Sequence, residues 1–139
     1  MTLDQAFQEL RERNEPVPKP LRLPTPAEVA AAESVLGMDF PSDYRRFLLE
    51  ASDVSCGVLE PGLVLPDLPP YLDLAEIARD GWSMGIPRDS LPFCPDNGNC
   101  YFIDPAGTVR YWDHDAQGES GRYATLAEWI EEDWLSDNQ

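Results

Sequence analysis

Leu36-Gly37-Met38-Asp39-Phe40-Pro41-Ser42-Asp43-Tyr44-Arg45-Arg46-Phe47-Leu48-Leu49 holds a helix stop, a restart and the first turns of a second helix. Gly37 can take the left-handed conformation that ends a helix without a Cβ penalty. Phe40 and Pro41 begin again, because proline presets φ for a first helical turn and its missing N–H is no loss there. Beyond them Tyr44, Phe47, Leu48 and Ala51 recur at i, i+3, i+4 and i+7, an apolar face behind Asp43, Arg45, Arg46 and Glu50. The stretch predicts two helices joined at a tight corner, each burying one side.

Upstream, Thr25 with Pro26 and Glu28 has the residues of a capping box for a helix burying Val29, Ala32 and Leu36. Thr2 with Gln5 repeats the pattern ahead of Leu3, Ala6, Phe7 and Leu10. Between them, Pro16, Pro18, Pro20, Pro24 and Pro26 fix φ and remove amide donors, so 15–26 is predicted to be extended and to space the first helix from the body. The expected division is 1–23, an N-terminal helix with its proline-rich segment, and 24–139, an α+β domain. Downstream, Asp73 with Glu76 predicts a short helix through Leu74, Ile77 and Ala78 that stops at Gly81. Thr125 with Glu128 predicts a closing helix carrying Leu126, Trp129, Ile130 and Trp134.

The period changes between these last two helices. Short β-prone runs, 91–94, 100–104 and 108–113, are separated by Asp96-Asn97-Gly98-Asn99 and Asp104-Pro105-Ala106-Gly107, which are turn sequences. An antiparallel meander follows, with 58–65 as a candidate for further strands around Pro61-Gly62. Helices, then sheet, then a closing helix give an α+β fold whose sheet, antiparallel or mixed, carries helices mainly on one face.

The chain of 139 residues carries 26 acidic and 10 basic side chains, a net charge of -16. Residues 61–139 hold 15 acids and 4 bases, against 11 and 6 in 1–60, so the second part is the more anionic. Such a surface is repelled by phosphate backbones and anionic headgroups, which disfavours nucleic-acid and membrane partners. No run of 18 apolar residues occurs, and the first residues lack the basic and apolar regions of a signal peptide, so a cytoplasmic location is expected. Cys56, Cys94 and Cys100 are an odd set in that context and are expected to be buried thiols.

The helix-corner stretch resembles the LG-x-x-FP-x-DY-x-x-FL signature of the SUKH superfamily, the Smi/Knr-like proteins. Leu91-Pro92-Phe93, Asp96-Asn97-Gly98-Asn99, Tyr101-Phe102-Ile103-Asp104, Gly107-Thr108-Val109-Arg110-Tyr111-Trp112 and a helix around Leu126 and Trp129 continue the likeness over about 24–135. Gly37, Phe40, Pro41, Asp43, Tyr44, Phe47, Leu48, Gly98, Gly107 and Trp129 are its structural positions here. Many relatives place Asn-Gly after the signature helix, where this chain has Ala51-Ser52-Asp53. The superfamily includes fungal cell-wall-assembly regulators and bacterial immunity proteins that neutralise toxins. The resemblance therefore implies a SUKH-like fold that binds a protein and catalyses nothing.

Site chemistry agrees with that implication. Asp113-His114-Asp115 is the nearest approach to a metal cluster, but Cys94 and Cys100 lack zinc-type spacing, and Asp96-Asn97-Gly98-Asn99 lacks the glutamate of a calcium loop. Neither metal nor cofactor is expected. His114 is the sole histidine and no nucleophile motif accompanies it, which makes a hydrolase centred there the weakest reading. The partner expected is a protein, a basic toxin domain or, in the regulatory alternative, an endogenous one; oligomeric state is left open. The acidic candidates for its contact face are Asp96, Asp104, Asp113, Asp115, Glu128, Glu131, Glu132 and Asp133. Tyr101, Arg110 and Trp112, with Ile103, are the candidate exposed strand set.

Overall fold

The computed structural model describes residues 1–136; the last three residues of the expected 24–139 domain lie outside the described part. Five α-helices run through Leu3–Glu12 (α1), Pro26–Leu36 (α2), Ser42–Glu50 (α3), Leu74–Met84 (α4) and Leu126–Trp129 (α5). Four strands, Leu91–Asp96 (β1), Asn99–Ile103 (β2), Val109–Asp113 (β3) and Gly118–Tyr123 (β4), form one antiparallel sheet in sequence order. A π-helical segment, Ile130–Trp134, continues α5.

Both predicted capping boxes form, at Thr2 with Gln5 and at Thr25 with Glu28. Gly37 ends α2 at φ 68°, a left-handed conformation that an L side chain rarely adopts. Glu33 then ties the corner, accepting from the Phe40 N–H and from Arg45. After α3 the chain leaves through Ala51-Ser52-Asp53: the Ser52 hydroxyl donates to the Leu48 carbonyl at 2.7 Å, and Asp53 accepts a bidentate pair from Arg11. Those contacts close the helix exit without the Asn-Gly step.

The main core joins α1, α2, α3 and α5, with Leu74 and Ala78 of α4, to one sheet face, and Tyr44, Phe47, Phe93, Trp129 and Trp134 are among its rings. Phe93 and Trp129 meet edge to face at 4.9 Å, and Tyr44 and Phe93 at 5.1 Å. The Tyr44 hydroxyl donates to the Gly62 carbonyl at 2.6 Å, while the Trp134 indole donates to the Cys56 carbonyl at 2.7 Å. A smaller cluster of Ile77, Ile86, Cys100, Phe102 and Trp112 lies on the opposite face under the end of α4.

Four expectations change. α1 is docked: Ala6 and Leu10 are fully buried, Phe7 meets Phe47, and Arg13 bonds the Leu135 carbonyl, so the proline-rich stretch crosses the surface without holding the helix away from the core. Residues 58–65 contribute only an isolated bridge from Leu63 to Asp73, because Pro61 lacks a donor and the Gly62 N–H is taken by Phe93 O at 2.6 Å. α4 does not stop at Gly81 but runs through it to Met84, capped by Gly85. Asp73 caps that helix alone, accepting from the Ala75 N–H.

The fourth concerns the strand set. Tyr101 pairs with Tyr111 and Phe102 with Arg110, so Tyr101 and Ile103 face the main core while Arg110 and Trp112 face the opposite side. Tyr101, Ile103 and Trp112 are buried and Arg110 is half-buried. They are not one exposed set.

Candidate functional site

In a meander, alternate turns share an end of the sheet, so the β1–β2 turn carrying Asp96 to Asn99 lies beside the β3–β4 turn carrying Asp113 to Gly118. Along the core-facing side, Asn99 Nδ2 donates to the Tyr111 hydroxyl at 2.8 Å, and that hydroxyl donates to Asp96 Oδ2 at 3.0 Å. The Tyr101 ring lies 4.7 Å from Tyr111 and 5.3 Å from Trp129, and its hydroxyl donates to Asp133. Burial, then the Asp133 carboxylate, with Tyr123 and Asp96 adding to it, push the Tyr101 phenol well above its ordinary range. Burial first, then the charges of Asp96 and Asp113, raise Tyr111 as well. Asp96, Asp113 and Asp133 therefore converge on one half-buried tyrosine patch.

The other acidic candidates divide. Asp115 stands exposed on the β3–β4 turn, its carboxylate 3.2 Å from His114 Nε2, while His114 Nδ1 lies 2.7 Å from Asn99 Oδ1. Asp113, His114 and Asp115 bring ligand-type atoms within 4.8 Å of one another, and one Asp113 oxygen already accepts from the Asp115 and Ala116 N–H groups. Cys94 and Cys100 are buried and do not join that group. Glu131 and Glu132 are exposed on the π-helical segment, Glu131 lying 3.7 Å from the terminal amine. Partial desolvation and the neighbouring Glu128 and Glu131 carboxylates raise Glu132 above the usual carboxylate range.

Asp104 and Glu128 are occupied with local structure. Asp104, at the far end of the sheet, accepts from Ala106 N, Thr108 N and Arg110 Nε, and Arg110 also reaches Glu119 at 2.8 Å. Burial opposes ionisation of Asp104, but Arg110 and the two amides outweigh it and hold the carboxyl low. Glu128 bonds the Ala124 N–H, and its own N–H bonds the Thr125 hydroxyl, which makes it a cap.

The sequence offers Tyr111 and Tyr123 only as two of several aromatic anchors, with no sign that Tyr111 faces Tyr101, and it gives no site role to Asn99. The even hairpin register, which follows from a five-residue 104–108 loop, places Tyr111 opposite Tyr101 and would have found it. Of the signature positions, Tyr44, Phe47, Leu48, Phe40 and Trp129 are core, Pro41 caps α3, Asp43 lies in its first turn, and Gly98 and Gly107 occupy turns at positive φ.

These features define a small α+β module with a carboxylate-rich sheet end and no helix, among the described residues, long and apolar enough to cross a membrane. A family model described as SMI1-KNR4 cell-wall, within the SUKH group, matches residues 3–135, and the chain belongs to that family. It is similar to a solved structure, a protein from Pseudomonas syringae pv. tomato, at 32% identity and TM-score 0.88, covering 96% of this chain and 98% of that one. A comparison with curated proteins returns no match. The 3–135 match includes α1, which agrees with its place in the core.

Proposed function

We propose that this SUKH module is a non-catalytic immunity protein that neutralises a basic toxin domain, a nuclease being the best chemical match, by lying across its cleft. The observation that carries this reading is the convergence of Asp96, Asp113 and Asp133 on the Tyr101–Tyr111 patch, with Asp115 beside it. An even spread of charge over 7172 Å² would give a standard footprint of roughly 800 Å² about two net charges, so the sheet end exceeds the average. The bases are largely spent internally: Arg11, Arg13, Arg22, Arg45, Arg46, Arg79 and Arg110 all pair with carboxylates. A cleft built for phosphate recognises such a surface, and the complementarity steers association.

The chemistry of the thiols supports binding over catalysis. Burial raises Cys56 and Cys94 and pushes Cys100 up to about 12, so none is primed as a nucleophile at neutral pH. The family's cell-wall description favours a second reading, a regulatory module on an endogenous protein.

Co-expression with a toxic domain encoded beside this chain tests the first reading. Growth rescue and a co-eluting complex are expected, both lost when Asp96, Asp113 and Asp115 are changed together to lysine, and the complex should weaken as salt rises. Full toxicity beside stoichiometric amounts of this protein rejects it, and a stable complex with an endogenous cell-wall protein instead supports the regulatory reading.

A further inference from the structure

A pocket of about 400 Å³ opens between α4 and the β1–β2 turn, on the opposite side of the sheet from the tyrosine patch. Ile77, Met84, Pro95 and Cys100 supply apolar walls, and Tyr71 stands at its mouth. Tyr71 is 62% exposed and is the one exposed Phe, Tyr or Trp among the described residues. The turn beneath it is braced by prolines, with the Leu72 N–H on the Pro69 carbonyl at 3.0 Å and the Asp73 N–H on the Pro70 carbonyl at 3.3 Å, so the ring is displayed by ordered backbone.

Asp80 also lines this pocket, at i+3 from Ile77 and four residues before Met84, a charge set into the apolar stripe of a helix. It has no ion pair among the described residues: the only base on α4, Arg79, turns to Glu76 at 3.5 Å. Its field reaches the pocket wall, where it adds to the burial that raises Cys100. A concave apolar site with one uncompensated carboxylate and an exposed ring selects a side chain with an apolar stem and a flat cationic head.

We infer that this pocket receives an arginine side chain of the basic protein partner, its stem against Ile77, Met84 and Pro95 and its guanidinium between Asp80 and the Tyr71 ring. The identity of the occupant rests on the proposed function; the chemistry of the pocket does not. The protein already uses the same contact internally, with Arg88 stacked on Trp82 at 3.8 Å. Arginine is enriched among interface anchors because it couples a hydrogen-bonding fork to a stackable plane, and this site offers a partner for each.

Benzamidine, a flat cation on an apolar ring, serves as the probe, with benzyl alcohol and benzoate as neutral and anionic controls. Backbone amide NMR on the intact chain should show saturable benzamidine shifts at Gly81, Asn99 and Cys100, weaker ones with benzyl alcohol and none with benzoate. Asp80→Asn should weaken benzamidine by about five-fold or more while leaving benzyl alcohol within about two-fold, and Tyr71→Ala should weaken both. Both side chains are exposed, and unchanged melting curves verify the fold. Equal binding of benzamidine and benzyl alcohol, or benzamidine shifts absent from these amides, overturns the inference. Since no toxin is present, that result would leave the immunity reading standing, whereas failed neutralisation beside a responsive pocket would reject the immunity reading alone.

Discussion

At Gly81, helix propensity and packing pull in opposite directions. Alanine in a helix interior is worth about 1 kcal/mol over glycine. A Cβ here, however, would stand 2.4 Å from Pro92 Cβ and 2.5 Å from its Cγ, atoms of a ring fixed to β1 that cannot swing aside. Overpacking of that kind costs about 1–3 kcal/mol or more, so packing wins. Gly81→Ala should lower stability in urea unfolding by about 2 kcal/mol, while Ser83→Ala on the exposed part of the same helix should stay within about 0.5 kcal/mol. Equal curves for the two variants would show that α4 and β1 are not in close contact. The same contact explains why Gly81 reads as a helix stop in the sequence: glycine is a stop signal locally, and the reason for it here lies on a strand eleven residues away.

α1 makes two kinds of contact with the body, and their magnitudes differ. Leu10 is fully buried among core residues, and truncating such a leucine costs about 2–5 kcal/mol. The Arg11–Asp53 pair is bidentate, but its side chains are 46% and 25% exposed, a setting in which an ion pair contributes about 1 kcal/mol or less. Leu10→Ala should therefore shift the urea midpoint several times further than Asp53→Ala, and the reverse order would mean that α1 is held by charge at its rim. The helices were legible because caps and apolar periodicity are local signals, and α1 to α3 and α5 start where those signals stand. The sheet was legible in β1 to β3 from turn residues between β-prone runs. β4 was not, since Gly118-Glu119-Ser120-Gly121-Arg122 lacks β-branched residues and takes its strand state from pairing with β3. The candidate face suffered most, because one unit of register decides which side chains share a face: Tyr101 and Trp112 read as neighbours only if the 104–108 loop is given the wrong parity. How Asp133 reaches Tyr101 was not legible either. A π-helical turn, closed by the Leu135 N–H on the Ile130 carbonyl at 2.8 Å, carries it inward to Tyr101, and no residue pattern announces such a turn.

Across the whole molecule, a net charge of -16 sets self-repulsion against a modest number of exposed ion pairs, and salt screens both. Exposed pairs such as Arg22–Glu28 and Arg46–Glu50 contribute little individually, whereas the excess acids repel over the whole surface. The melting temperature should accordingly rise as sodium chloride goes from low concentration to a few tenths molar at neutral pH. Acid titration separates the two contributions by sign. Glu132 has its folded pKa raised, so the native state takes up its proton first, and stability should climb as the pH falls from neutral toward the carboxylate range. Glu28 is lowered to about 2 by the Arg22 guanidinium and the Thr25 amide, and Glu50 and Asp104 are lowered in the same direction by their arginine partners. Their contribution is complete above the unfolded carboxylate range and disappears as the pH falls toward about 2, so stability should drop again there. Melting curves in low and high salt across that range should show a maximum on the acidic side of neutrality, with salt flattening the neutral limb. A melting temperature that falls on adding salt at pH 7 would mean that the paired arginines outweigh the repulsion, and the sheet end would then be a neutralised surface with no long-range pull on a basic partner.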